Sequence, residues 1–249
     1  MTNRYPQTWK ELQDLVAYYF NNSGYTAITP YNLETVRGNV EVDVFVDTNN
    51  EFNDKIICEC KYWNTAIPQE KIHAFRTVIN DSGVSSGLVI SKYGFQSGAI
   101  KASRKANIKL LTWEDFLNLI FDKWRMFRHR KLLSIARPLA VYTDYMDVPS
   151  EKMTKEQIKE HSDSIQKYAP LYLCSHKLKI DTEFINKFNS IYNCNINSYE
   201  DYFDVLETKA IEAVQYYENF FRDIPIPEYK FDFGVEYLSR FISPNDYKK

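Results

Sequence analysis

Two stretches of alternating residues joined by a polar turn constrain this chain more than anything else in it. In VEVDVFVD, residues 40–47, Val40, Val42, Val44 and Val46 alternate with Glu41, Asp43 and Phe45. Period two signals a strand, because successive side chains leave a strand on opposite faces. TNNEFND, residues 48–54, is polar and turn-forming. KIICECK, residues 55–61, then reads as a second strand, interrupted by Glu59 and Lys61. A hairpin centred on Glu51 is predicted. Its register sets Val42 opposite Cys60, Val44 opposite Cys58 and Val46 opposite Ile56. On the other face it sets Asp43 opposite Glu59 and Glu41 opposite Lys61. A slip of one residue would turn every apolar side chain to the wrong face.

That register places two carboxylates side by side, which is destabilising unless something neutralises them. A hard divalent cation does so. Mg²⁺ favours one or two carboxylates, with waters and phosphate oxygens completing its shell. Asp43 and Glu59 are therefore candidate metal ligands, with the Cys60 backbone carbonyl between them as a neutral oxygen donor. Lys61, one pleat further on, would sit beside a metal-bound water or a scissile phosphate. Glu11, on the flank of the first helix's apolar face, is a further metal-shell candidate. Spacing alone leaves a second reading open, in which Lys61 pairs with Glu41 and Glu59 is merely solvated.

Around this hairpin, helix and strand signals alternate, which predicts an α/β sheet packed between helices. Trp9, Leu12, Leu15, Val16, Tyr19 and Phe20 recur at helical spacing, and Asn21 to Gly24 end that helix. YTAIT reads as a short strand. Residues 69–80 read as a helix stopped before Gly83, GLVISK as a buried strand, and IKLLT as another. Thr112 with Asp115 has capping-box spacing at the start of a further helix. Past Trp124 the pattern is helical, punctuated by Pro170, Pro225 and Pro227.

Hydrophobic residues make up 44% of the 249, enough for a real core. The net charge of −2 announces no general affinity for nucleic acid, yet its distribution is uneven. Arg125, Arg128, Arg130, Lys131 and Arg137 form a basic island without acids. Arg128, Arg130 and Lys131 could meet phosphates, or could follow a helix and favour its C-terminus. Lys101, Arg104 and Lys105 recur at helical spacing and offer a second basic patch. The tyrosines of the last long helix, Tyr199, Tyr202, Tyr216 and Tyr217, fit base stacking or a core stripe. His73 and Gln69 lie in the helix after the second strand and could reach the cleft. The cysteines, Cys58, Cys60, Cys174 and Cys194, lack finger-like spacing and suit a reduced, cytoplasmic chain. No apolar run is long enough for a membrane span.

The segment from Gln7 to Phe116 resembles the Mrr-type restriction endonucleases of the PD-(D/E)XK nuclease superfamily. WKELQDLV, GYTAITPYN, the alternating strand ending near Asp43, CECKYW and the run from IPQEKIHAF to LLTWEDF follow that family's order. Val42 stands where the superfamily often has proline. The resemblance implies Asp43, Glu59 and Lys61 as the catalytic set and Mg²⁺ or Mn²⁺ as cofactor. It also implies DNA as substrate, in restriction or defence against foreign DNA. The fold it implies is a restriction-endonuclease-like core, a mixed central sheet flanked by helices, at residues 1–124. Residues 125–249 are expected to form an α-helical domain whose basic start is 125–137. A homodimer or other homo-oligomer is open. So are a repair or junction-resolving nuclease and a non-cleaving nucleic-acid-binding or ligand-sensing module.

Overall fold

The computed structural model describes residues 1–226. Pro227 and the rest of the expected helical domain lie outside the described residues. The first helix, α1 (Trp9–Asn21), opens on Thr8, whose side chain accepts from the Glu11 N–H. Its buried face carries Leu12, Val16, Tyr19 and Phe20, while Trp9 is exposed and Leu15 half-buried. One polar residue, Gln13, shares the buried face.

Among the described residues seven strands follow: β1 (Thr26–Ile28), β2 (Tyr31–Thr35), β3 (Gly38–Val42), β4 (Val44–Asp47), β5 (Lys55–Lys61), β6 (Ser86–Ser91) and β7 (Ile108–Thr112). The main sheet has five strands in the order β1-β4-β5-β6-β7. β1, β4 and β5 are antiparallel, and β5, β6 and β7 are parallel. The two parallel crossovers run through α2 (Gln69–Ser82) and α3 (Ser97–Ser103), as parallel neighbours require. The result is a mixed sheet flanked by helices, with helices after it.

The hairpin register is the expected one where the hairpin exists: Val44 pairs with Cys58 and Val46 with Ile56. The single strand expected over 40–47 is, however, broken at Asp43. β3 turns away to pair with β2, so Glu41 faces Asn32 and not Lys61. The ladder of β4 on β5 stops at Val44.

One sheet face packs Phe45, Ile57 and Val89 against Ile72, Phe75 and Ile79 of α2. On the other, Val44, Val46 and Cys58 are fully buried, and α1 contacts β4 and β5. The helix α4 (Trp113–Ala136) closes on α1 through Phe116 against Phe20 and Trp124 against Tyr19. The box at its start forms with Asp in the glutamate's place: Asp115 accepts from Thr112 N–H and returns its own N–H to the Thr112 hydroxyl.

After the short α5 (Leu139–Tyr142) come α6 (Lys155–Ser175), α7 (Thr182–Tyr192) and α8 (Tyr199–Phe220). α6 starts in a full capping box of Thr154 and Gln157. Pro170 lies inside α6 and does not end it. The compact units do not follow the expected boundary at 124/125. One unit joins Met1–Leu132 to Lys177–Val205, and the other joins Leu133–His176 to the chain from Leu206. The reason lies in the core of the first unit. Trp124 is fully buried and meets Phe203 edge-on at 5.7 Å. Tyr19 donates to Glu200 at 2.9 Å. In the second unit, Ser164 and the Tyr217 hydroxyl share a hydrogen bond of 2.9 Å, and His161 Nε2 lies 2.8 Å from the Tyr142 carbonyl oxygen. Tyr202 and Tyr217 are fully buried, so these two belong to the core stripe and cannot stack bases. Among the described residues no helix is long and apolar enough to cross a membrane.

Candidate active site

The break at Asp43 builds the site. Where β4 ends on β5, the next amide of that edge, Cys60 N–H, has no ladder partner because β3 has left. The Asp43 carboxylate takes its place: Oδ2 accepts from Cys60 N–H at 2.6 Å. The other oxygen, Oδ1, accepts from Gln13 Nε2 at 2.6 Å. Both carboxylate oxygens are thus fixed, one by the sheet and one by α1. The amide and carbonyl of one strand residue point to the same edge. The Cys60 carbonyl oxygen therefore lies on the edge that Asp43 occupies.

Glu59 and Lys61 share one face of β5 and form an ion pair with each other. Both are partly covered, with side chains 27% and 18% exposed. Burial raises the Glu59 carboxyl above its ordinary range and Asp43 pushes it the same way, while Lys61 and Lys71 pull it down. A carboxyl in this setting gains from added positive charge. Lys71, on the first turn of α2, is a neighbour that spacing did not reveal.

Glu11 does not reach this place. It is exposed in the first turn of α1, and its Oε2 accepts from Gln7 N–H at 2.7 Å. Residues two apart on a helix lie about 200° apart around it, so the face that brings Gln13 to Asp43 turns Glu11 away. The available signal for Gln13 was its polarity among the apolar residues of that face.

The basic candidates separate. Lys101, Arg104 and Lys105 are all exposed, but α3 ends at Ser103. Arg104 is extended and Lys105 has a φ of +57°, so the three do not form one helix face. Arg128 is buried. Its guanidinium pairs with Asp204 at 2.8 Å and lies near the Trp124 and Phe203 rings. A guanidinium so enclosed cannot meet DNA, which corrects the expectation for Arg128. Lys131 is exposed and Arg130 half-buried, in mid-helix, since α4 runs on to Ala136. The basic run therefore does not follow a helix end. His73 is exposed on α2. Gln69 packs over Gly98, where an added Cβ would stand 2.6 Å from its Oε1.

Among the described residues no three His, Cys, Asp or Glu side chains come together as a metal cage. The donors at the Asp43 edge are instead the Asp43 and Glu59 carboxylates and one backbone carbonyl. This set suits Mg²⁺ or Mn²⁺, which keep several waters, and not zinc, which takes four N or S ligands in structural sites. Burial raises the Cys58 and Cys60 thiols, which keeps them neutral core residues.

A family model for the Mrr catalytic domain, described as restriction endonuclease, matches residues 6–120. No curated protein matches the chain. Among solved structures, the crystal structure of a protein of unknown function, AF1548, is similar at a TM-score of 0.40 and 14% identity. That match covers 85% of this chain and 100% of the other.

Proposed function

From the premise that residues 6–120 form an Mrr-type restriction endonuclease domain, we propose that the protein is a divalent-metal-dependent endonuclease that hydrolyses DNA phosphodiester bonds. Restriction or defence against foreign DNA, in the cytoplasm, is its proposed setting. The observation that carries this reading is the Asp43 carboxylate. It is clamped between Cys60 N–H and Gln13, close enough to the Glu59–Lys61 pair for its charge to push the Glu59 carboxyl up.

Asp43, Glu59 and the Cys60 carbonyl would hold the cation. When bound, such a cation offsets charge on a phosphate oxygen and makes water easier to ionise. The chain's own residues do the rest. Cys60 N–H and Gln13 hold the two Asp43 oxygens in a fixed orientation. Lys61, held on the same face of β5 by Glu59, would set its ammonium where negative charge develops as water attacks. A preorganised charge at that point is worth about 10²–10³ in rate.

The test is cleavage of supercoiled, linear, single-stranded and branched DNA with Mg²⁺ or Mn²⁺ against excess chelator, with Lys61→Met as the control. Cleavage is expected only with Mg²⁺ or Mn²⁺, and Ca²⁺ should support binding without efficient cutting. Robust cutting in excess chelator would sink the mechanism. A repair or junction-resolving role would show itself in a preference for branched DNA, and binding without any cleavage would leave a recognition module.

A further inference from the structure

The loops leaving the carboxyl ends of β5 and β6 are tied to one another. Ile67 N–H donates to the Gly94 carbonyl at 2.9 Å, and Gln96 N–H donates to the Ile67 carbonyl at 3.0 Å. Lys92 Nζ donates to Asn64 Oδ1 at 2.9 Å. Buried Ser91 closes the second loop: its hydroxyl donates to the Gly94 carbonyl and accepts from the N–H groups of Tyr93 and Gly94. Loops braced in this way hold their side chains in fixed places. At the carboxyl ends of parallel strands, those places border the region where α/β sheets bind ligands.

What they hold is aromatic and basic. Trp63 is 37% exposed and Tyr93 66% exposed. Lys92 Nζ lies 4.2 Å from the centroid of the Tyr62 ring. The ammonium groups of Lys61 and Lys71 each lie 5.8 Å from the centroid of the Trp63 ring. Lys61 belongs to the candidate site, so Trp63 stands at its rim. Exposing an indole and a phenol ring beside a catalytic face is costly in water, and neither ring fills the core.

Flat rings interleaved with cations form the surface that receives unpaired nucleotides. Bases stack on the rings while the ammonium groups follow the backbone. A base within an intact duplex has both faces covered by its neighbours, so such a surface has nothing to offer it. We infer that the Trp63–Tyr93 rim, with Lys71 and Lys92, binds unpaired nucleotides next to the scissile phosphate, so that DNA carrying a single-stranded segment at the cut is the preferred substrate. This rests on the reading of Asp43, Glu59 and Lys61 given above.

The test reads binding twice, in Ca²⁺, with oligothymidylate and with a blunt duplex of equal length. One readout is Trp63 emission in a Trp9→Phe chain, where Trp113 and Trp124 are buried and supply a constant background. The other is the anisotropy of a label on the DNA. Saturable quenching by the single strand, and weaker quenching by the duplex, is expected. Trp63→Ala should weaken single-strand affinity roughly ten-fold, the size of one base stack, with a smaller effect on duplex, and Trp63→Phe should restore most of it. Rising anisotropy with flat Trp63 emission, or equal weakening on both DNAs, overturns the rim while leaving the nuclease reading intact. Flat anisotropy with both DNAs overturns the two together. Quenching by single strand in a protein that cuts no DNA in Mg²⁺ overturns the nuclease reading, and with it the claim that the rim flanks a scissile phosphate.

Discussion

At the scale of single residues, the site is a set of charges that the fold holds at a cost. Lys61→Met separates chemistry from stability. It should leave the melting temperature and DNA binding nearly intact and cut turnover by about 10²–10³; a folded variant that cuts at the wild-type rate would return Glu59 and Lys61 to a structural pair. Gln13→Ala should weaken Mg²⁺ binding, because Asp43 Oδ1 is then without its neutral donor from α1. Calorimetric titration with Mg²⁺ checks it, and unchanged affinity would mean that Cys60 N–H alone fixes Asp43. Glu59 supplies a pH dependence whose sign is set by its raised carboxyl. Unfolding returns that carboxyl to its ordinary range. Between the two values the folded chain keeps a proton that the unfolded chain releases, so metal-free stability falls as pH rises through that window. Thermal melts in chelator at stepped pH should therefore show a decline that Glu59→Gln flattens. An identical slope in the variant would remove Glu59 as its source.

At the scale of elements, two junctions carry the packing of α1 and α4. Gly24 follows α1 with a φ of +82°, and an added Cβ there would stand 2.9 Å from Phe127 of α4. Gly24→Ala should thus destabilise by at least about 1 kcal/mol, from backbone strain and crowding together, and equilibrium denaturation measures it. Arg128 plays the corresponding part between α4 and α8. Arg128→Ala removes a buried side chain and its ion pair with Asp204. Asp204 is half exposed and can be rehydrated, so the cost should be about 1–3 kcal/mol, less than for a wholly buried pair. The variant should melt earlier yet keep the salt dependence of DNA binding. Replacing Lys101, Arg104 and Lys105 should do the reverse. For every phosphate that the protein no longer neutralises, the slope of log K against log salt falls by about 0.9. A slope that does not move would place these lysines and this arginine off the DNA.

At the scale of the whole molecule, the matched segment ends at residue 120, but its packing does not. The first compact unit includes Lys177–Val205. Within it Phe121 meets Tyr199, Trp124 meets Phe203, and Tyr19 and Arg4 meet Glu200. A chain cut after Leu132 leaves Trp124 and Arg128 without these partners. It should bind a hydrophobic dye, melt without cooperativity and cut DNA poorly, even though it retains Asp43, Glu59 and Lys61. Wild-type melting of that fragment would show the segment from 177 to 205 to be dispensable for the fold.

The hairpin register was legible in the sequence because a period of two permits few pairings once one face is apolar. Val44 meets Cys58 and Val46 meets Ile56 as the alternation demands. The helix start at Thr112 and the alternation of helices with strands followed from signals equally local. Where the alternation continued but the partner changed, the sequence was silent. Val40, Glu41 and Val42 read as one strand with Val44, yet β2 competes for them and wins, since hydrogen-bond partners are chosen in three dimensions. The same competition frees Cys60 N–H for Asp43 and makes room for Gln13. Likewise no charge count could separate Arg128, buried against Trp124 and Phe203, from exposed Lys131 three residues on. Local period determines which residues form strands and helices. Which edges stay open, which cations go inside and which donor completes a carboxylate are decided only when distant segments pack, because those choices depend on neighbours far away in the chain.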